Sequence, residues 1–149
     1  QTLFNTDKRT GRVGNVSDQG VVNSDEYLGS WMSKVPRNIT RDIETTFPGN
    51  PGGGGSDYAS FVAAGVPAFS LSSLSWSYGT YTWHTNLDTY DKIVFDDVQN
   101  NVIMAAIMVY MASEEDGMVS KEVRIPIGRN DEPTDWPAVR SPTRKGGVE

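Results

Sequence analysis

Residues 52–71 read GGGGSDYASFVAAGVPAFSL, and this stretch contains a loop, a helix and a strand in direct succession. Ser56 can cap a helix that runs through Phe61–Ala64, and Gly65 is suited to end it. The apolar residues of Val66–Leu71 then predict a buried strand. A helix that leads directly into a buried strand is typical of layered α/β folds.

The flanking sequence continues this alternation. The longest predicted helix runs from Asp97 to about Ser113, and its stretch Val102–Ala112 is apolar nearly all round, so we expect it to be buried on several sides. A capping box of Asn23 and Glu26 predicts another helix, which Pro36 ends. Further short strands are predicted at Thr2–Phe4, Arg12–Val16 and Ile39–Thr45. Strands that alternate with helices indicate an α/β fold with a mainly parallel sheet.

The predicted elements all lie in residues 1–115, which we interpret as one domain. Residues 116–149 form a polar, proline-containing tail without hydrophobic periodicity, and we expect it to be extended on the surface or partly disordered. In sheets of this kind, functional loops lie beyond the carboxyl ends of the strands. The loops after Phe4, before Ser56 and around His84 are therefore the candidates.

The composition excludes several classes of function. The chain has 149 residues and a net charge of -6, which suits one soluble domain and argues against a nucleic-acid partner. It has no cysteine, so disulfides, thiolate metal sites and a cysteine nucleophile are excluded. No apolar run is long enough to span a membrane. The opening residues Gln1–Asn5 read like the inside of a strand, so we expect a longer protein with any targeting signal upstream.

His84 is the only histidine in the sequence. It is either a metal ligand, oriented by the hydroxyl and carboxylate groups around it, or a loop residue that only hydrogen-bonds its neighbours. Asp7 follows a short apolar strand and either faces a site or belongs to a turn. Gly52–Gly55 either lets the backbone approach a ligand or forms a flexible loop, and no phosphate-binding Gly-Lys-Ser/Thr follows it.

Aromatic residues are concentrated just before His84. Trp76, Tyr78, Tyr81 and Trp83 either line a pocket or belong to the core or an interface. The sequence has no Gly-x-Ser-x-Gly nucleophile elbow, so it gives no sign of a serine hydrolase of that type.

Three segments, taken in order, resemble the dizinc exopeptidases of metallopeptidase family 28, the bacterial aminopeptidase and glutamate carboxypeptidase type. They are Phe4-Asn5-Thr6-Asp7, Gly54-Gly55-Ser56-Asp57-Tyr58 with Gly65-Val66-Pro67-Ala68 behind it, and Trp83-His84-Thr85-Asn86-Leu87-Asp88-Thr89. The resemblance covers roughly residues 1–115 and is to the C-terminal half of such a domain. It implies a three-layer α/β fold with a mixed, mainly parallel sheet and helices on both faces.

The resemblance further implies a zinc-dependent aminopeptidase with two zinc ions, in which a metal-activated water hydrolyses the N-terminal peptide bond. Asp7 would be the carboxylate ligand of one zinc, and His84 the imidazole ligand of the other. Asp57 and Asp88 would support the ligands or contact the substrate.

Two residues depart from the family pattern. Tyr58 stands where the family usually has His, and we place it with the residues that support the site or contact substrate. Trp83 stands where several members have a Tyr that stabilises the oxyanion; an indole N–H can donate a hydrogen bond but cannot titrate. Tyr81 is a possible replacement for that Tyr.

The rest of the family's site has no match in this chain. Its His-x-Asp and Glu-Glu segments, which supply the other ligands and the general base, are expected upstream, whereas Glu114-Glu115 follows the last predicted helix. We therefore expect the partners to be a peptide substrate and either the missing N-terminal half or a second chain, and we expect the isolated chain to be inactive. The resemblance also implies a secreted or periplasmic protein. The alternative is a non-catalytic α/β binding or interaction domain related to these peptidases.

Overall fold

A computed structural model describes residues 2–6 and 10–140 of the chain. Its elements are four strands, β1 (Leu3–Asn5), β2 (Val13–Asp18), β3 (Glu44–Thr46) and β4 (Ala68–Ser73), and five helices, α1 (Ser24–Met32), α2 (Arg37–Thr40), α3 (Tyr58–Ala63), α4 (Tyr78–Tyr81) and α5 (Phe95–Glu114), with a 3-10 turn at Tyr90–Lys92. No described helix has both the length and the apolar character that a membrane crossing requires.

The four strands form one mixed sheet in the order β1-β4-β2-β3. β1 pairs with β4 in parallel, β2 pairs with β3 in parallel, and β2 pairs with β4 antiparallel. Two of the three pairings are parallel, which confirms the predicted α/β fold with a mixed, mainly parallel sheet. The carboxyl ends of β1 and β4 consequently lie at the same edge of the sheet, where β2 begins.

Helices cover both faces of the sheet. Neighbouring strand residues point to opposite faces, so each strand contributes side chains to both layers of packing. Phe4 stacks on Phe69 with ring centroids 5.5 Å apart, and Trp31 of α1 meets Phe69 edge-on at 6.0 Å. α5 completes this larger core with Met104 and Met108. On the other face, α3 forms a smaller cluster of Tyr58, Val62 and Ala68, joined by Leu3 and Trp136. The arrangement has three layers, as the family resemblance implied.

Both ends of one predicted strand were wrong, because its first residues form a helix instead. The stretch Ile39–Thr45 was predicted to be one strand, but Pro36 accepts backbone hydrogen bonds from Ile39 and Thr40, which starts the short helix α2. Only Glu44–Thr46 is a strand. Ile39 and Ile43 are four residues apart, a spacing that fits a helical turn as well as an alternating strand, and both pack against the core.

The capping predictions also failed. Asn23 has a positive φ of 58° and makes no cap hydrogen bond; its Oδ1 accepts the N–H of Ser120 instead, at 3.0 Å. Ser56 does not cap α3, because its hydroxyl donates to Asn5. Gly65 does end that helix region with φ +73°, as predicted.

α5 confirms the longest predicted helix, but it is buried on one side only. Met104, Met108 and Ala112 are buried, whereas Val102 and Val109 are 61% and 52% exposed. The prediction of burial on several sides was wrong for the described residues, because they place no layer against the outer face of α5. The described part of the tail is extended as far as residue 140, with isolated bridges at Val21–Val123 and Ile127–Pro133.

Candidate active site

The end of β1 and the glycine-rich segment, residues 49–56, meet at the carboxyl edge of the sheet. The hydroxyl of Ser56 donates to Oδ1 of Asn5 at 3.3 Å, although the two residues are 51 positions apart. Since α3 starts at Tyr58 and runs back toward the start of β4, its N-terminus lies at this same edge. Two of the three segments that resemble the peptidase family are therefore in contact.

Asp7, the predicted carboxylate ligand, lies outside the described residues. The described chain on its carboxyl side returns to the same edge: Gly11 donates its N–H to the carbonyl of Leu74 at 3.1 Å, and Leu74 donates to Arg12 at 2.8 Å. Asn101 of α5 holds this return, because its amide donates to Gly11 at 3.0 Å and accepts the N–H of Val13 at 2.8 Å. The described residues on the two sides of Asp7 thus lie at the end of β1 and beside the end of β4.

Two consecutive polar residues at the end of β2 fix the glycine-rich segment by accepting its backbone N–H groups. The carboxylate of Asp18, which is only 1% exposed, accepts the N–H of Gly49 and, at 2.6 Å, the hydroxyl of Ser24. The amide oxygen of Gln19 accepts the N–H of Gly52 at 2.9 Å. Sequence analysis missed both residues, since a polar pair after a strand looks like an ordinary turn, and Gly49 and Gly52 lie more than thirty positions away.

Asp57 and Tyr58 have different surroundings although they are adjacent. Asp57 is exposed at the start of α3, and its side chain makes no capping hydrogen bond. Tyr58 is buried among Val62 and Ala68, and its hydroxyl donates to the carbonyl of Gly54 at 3.4 Å. The Asp57 carboxylate is thus open to a ligand, whereas Tyr58 shapes the glycine-rich segment from inside.

His84 lies in the loop that follows β4 and is exposed, with φ 60°. Its ring stacks on that of Trp83, with centroids 4.0 Å apart and planes inclined by 29°. No described residue hydrogen-bonds either ring nitrogen. The imidazole is therefore held by stacking, and both nitrogens remain open to a ligand.

The other predicted residues of this loop are also at the surface. Trp83 is 57% exposed and Tyr81 is 69% exposed, and neither the indole N–H nor the phenol hydroxyl has a described hydrogen-bond partner. Asp88 accepts the hydroxyl of Tyr78 at 2.6 Å, which ties the two ends of the loop together. Trp76 donates its indole N–H to Asp97 at 3.0 Å and so anchors the loop to α5.

The described residues alone do not make a zinc site. Within residues 2–6 and 10–140, no group of three or more His, Cys, Asp or Glu side chains is gathered so that it could hold a metal ion. A zinc ion needs at least three protein ligands, and a ligating histidine usually donates its second N–H to a carboxylate or carbonyl. Neither condition is met around His84 by the described residues.

The described residues form an α/β domain with loops at the carboxyl edge of its sheet, and comparison with protein families gives the class, a peptidase. The model of peptidase family M28 matches residues 1–109, and the chain belongs to that family. No curated protein and no solved structure gives a significant match. Family membership supports a hydrolase of the metallopeptidase type.

Proposed function

We propose that the chain forms part of a zinc-dependent exopeptidase of the aminopeptidase type, in which Asp7 and His84 are metal ligands. The observation that carries the proposal is the contact between Ser56 and Asn5, because it joins the strand that leads to Asp7 with the Gly-Gly-Ser-Asp segment of the peptidase family. Membership of family M28 supplies the reaction class.

Bound zinc would lower the pKa of a water molecule and polarise the scissile carbonyl. This chain contributes to that chemistry through its own side chains. His84 offers an exposed imidazole that stacks on the ring of Trp83. The indole N–H of Trp83 or the hydroxyl of Tyr81 can donate to a developing oxyanion, since neither has a described partner. Asp57 offers an exposed carboxylate for the cationic amino terminus of a substrate.

The remaining ligands and the general base come, on this proposal, from the upstream part of the domain. β1 offers the place where that part can attach. Leu3 directs its N–H toward β4 by donating to Pro67 at 2.9 Å, so the backbone groups of Phe4 point to the other edge, where no described strand pairs with them.

An apolar groove of about 500 Å³ adjoins this open edge, lined by Thr2, Leu3, Phe4, Val109, Ala112 and Ser113. Val98, Val102 and Val109 continue it as an exposed stripe on one face of α5. An incoming strand of the upstream part fits both features, because its backbone can pair with the open edge of β1 and its apolar side chains can fill the groove. A second copy of the chain fits less well, because a two-fold pair of β1 strands is antiparallel and places the two Asn5 ends apart.

The test is peptide hydrolysis by the protein that also carries the upstream segment. It should release N-terminal amino acids in a zinc-dependent manner, and His84→Ala should reduce kcat/KM at least a hundredfold because a metal ligand is lost. Asn86→Ala, an exposed neighbour in the same loop, should leave the activity unchanged. Hydrolysis that is indifferent to His84, or no hydrolysis by the wild type, would favour the non-catalytic binding module.

A further inference from the structure

The described tail contains an ordered strap, Val119–Trp136, that lies beyond the residues matched by the family model. The strap begins against the residues that follow β2. Val22 donates its N–H to Glu122 at 2.9 Å, and Arg124 donates to the carbonyl of Gly20 at 2.7 Å. The strap is thus attached beside Asp18 and Gln19, which hold the glycine-rich segment.

A turn within the strap keeps its two legs together. Gly128 donates its N–H to the carbonyl of Glu132 at 2.8 Å, and Thr134 donates to Pro126 at 2.9 Å. This turn directs the second leg back across the protein, so that Trp136 reaches α3.

Asn50 joins the first leg of the strap to the glycine-rich segment. Its side-chain amide donates to the carbonyl of Ile127 at 2.9 Å, and its Oδ1 accepts the N–H of Ile127 at 3.2 Å. One side chain therefore pairs with both backbone groups of a residue 77 positions away, as a neighbouring strand would.

Trp136 joins the second leg to α3. Its indole N–H donates to the carbonyl of Val62 at 2.9 Å, and its ring packs against the cluster that contains Tyr58 and Ala68. The ring also covers Gly20, where an added Cβ would lie only 3.2 Å from it. Trp136 thus packs against α3, the helix that begins directly after Ser56 and Asp57.

We infer that the strap is a positioning element: through Asn50 and Trp136 it fixes the glycine-rich segment and α3, and thereby the placement of Ser56 and Asp57 against the end of β1. Asp18 and Gln19 hold the segment from the sheet side, and the strap holds it from the outside. The consequence for catalysis rests on the proposed function, whereas the mechanical role does not.

The strap is tested by hydrogen exchange on the full 149-residue chain. Trp136→Ala and Asn50→Ala should each speed exchange at the amides of residues 49–66 by about tenfold, while those of α1 and α5 stay unchanged. Trp136→Phe, which keeps an aromatic ring but loses the indole N–H that donates to Val62, should restore most of the protection. Ile125→Ala is the matched control, since that strap side chain is 72% exposed.

Exchange that does not change, or that rises equally in α1 and α5, would overturn the inference. The kinetic arm uses the protein that also carries the upstream segment. There Trp136→Ala should raise KM for a peptide several-fold with little change in kcat, with recovery in Trp136→Phe, because only the substrate side of the site has loosened. An equal loss of kcat and kcat/KM would contradict the positioning role. Failure of all hydrolysis would count against the proposed function, but the exchange result would still decide the role of the strap.

Discussion

Asp18 shows how a single side chain can organise the loops of this protein. It is a fully buried carboxylate whose described partners are hydrogen-bond donors: the N–H of Gly49 and the hydroxyl of Ser24. A buried polar group needs such partners, because leaving it without a hydrogen bond in the interior is costly. Gly49 can come this close only because it has no Cβ.

Gly49→Ala should therefore be among the more damaging glycine substitutions in the chain. An added Cβ would overlap both the carbonyl and the carboxylate oxygen of Asp18. We expect a loss of about 1–3 kcal/mol or more in the free energy of unfolding, measured by urea denaturation. At Gly53 a Cβ meets nothing within 4 Å, so Gly53→Ala should change stability by less than about 0.5 kcal/mol. Equal effects of the two substitutions would contradict the structure.

Asp91 should remain ionised in acid well below the usual range for a carboxyl group. Hydrogen bonds from the side chain of Lys92 and from the hydroxyl of Thr89 lower the pKa of Asp91 from 3.8 to about 2. Because the pKa is lowered in the folded state, ionised Asp91 stabilises the fold. This stabilisation is complete above pH 3.8 and is lost as the pH falls through about 2. An NMR titration should show this midpoint, and Lys92→Met should raise it, whereas Lys121→Met should not. An unshifted midpoint in the wild type would exclude these hydrogen bonds in solution.

The helix α5 has a buried face and an open face, and the two should respond differently to truncation. Met108→Ala removes a fully buried side chain and should cost about 2–5 kcal/mol of unfolding free energy. Val102→Ala on the exposed stripe should cost less than about 0.5 kcal/mol in the chain alone. In the protein that carries the upstream segment, the cost of Val102→Ala should exceed about 1 kcal/mol, because the covered face would then lose packing. A cost that is the same in both proteins would argue against the proposed docking face.

Much of the element pattern could be predicted from the sequence because it depends on local signals. Gly65 ended a helix region, and the long apolar run became α5 with ends that differ by only one or two residues. The failures had two causes, a partner distant in sequence for Asn23 and an ambiguous local spacing at Ile39–Thr45. Asn23 is a good N-cap residue, but Ser120 of the tail takes its side chain, and the alternation of Ile39–Thr45 suited a helical turn equally well.

The candidate site, like the fold, could be predicted from the sequence only in part. The motifs around Asn5, Ser56 and His84 could be recognised from their spacing. The residues that hold these motifs in place could not be recognised, since Asn50 and Asn101 hydrogen-bond to residues 77 and 88 positions away. An asparagine in a loop or on a helix carries no sequence signal for such a role. The structure was needed to show that these side chains, with Asp18, hold the loops of the site.

At the scale of the whole molecule, the described residues form a larger core between the sheet and helices α1 and α5, a smaller cluster under α3, and a side that they leave open. The open side combines the edge of β1 with which no described strand pairs, the apolar groove and the stripe on α5. Soluble proteins cover such surfaces with other chain segments or with partners. The same side leads to the strand end from which Asp7 follows, so covering the surface and completing the metal site are, on our proposal, one event.

Zinc content, measured by mass spectrometry and titration, decides between the two accounts of this chain. We predict that two zinc ions bind tightly only when the upstream segment is present, and that His84→Ala and Asp7→Ala each abolish binding of at least one ion, while Asn86→Ala does not. The chain alone should bind zinc weakly, because its described residues gather no group of three ligands. If the protein with the upstream segment binds no zinc, or binds two ions without His84, the assignment of this edge as a dizinc peptidase site is wrong.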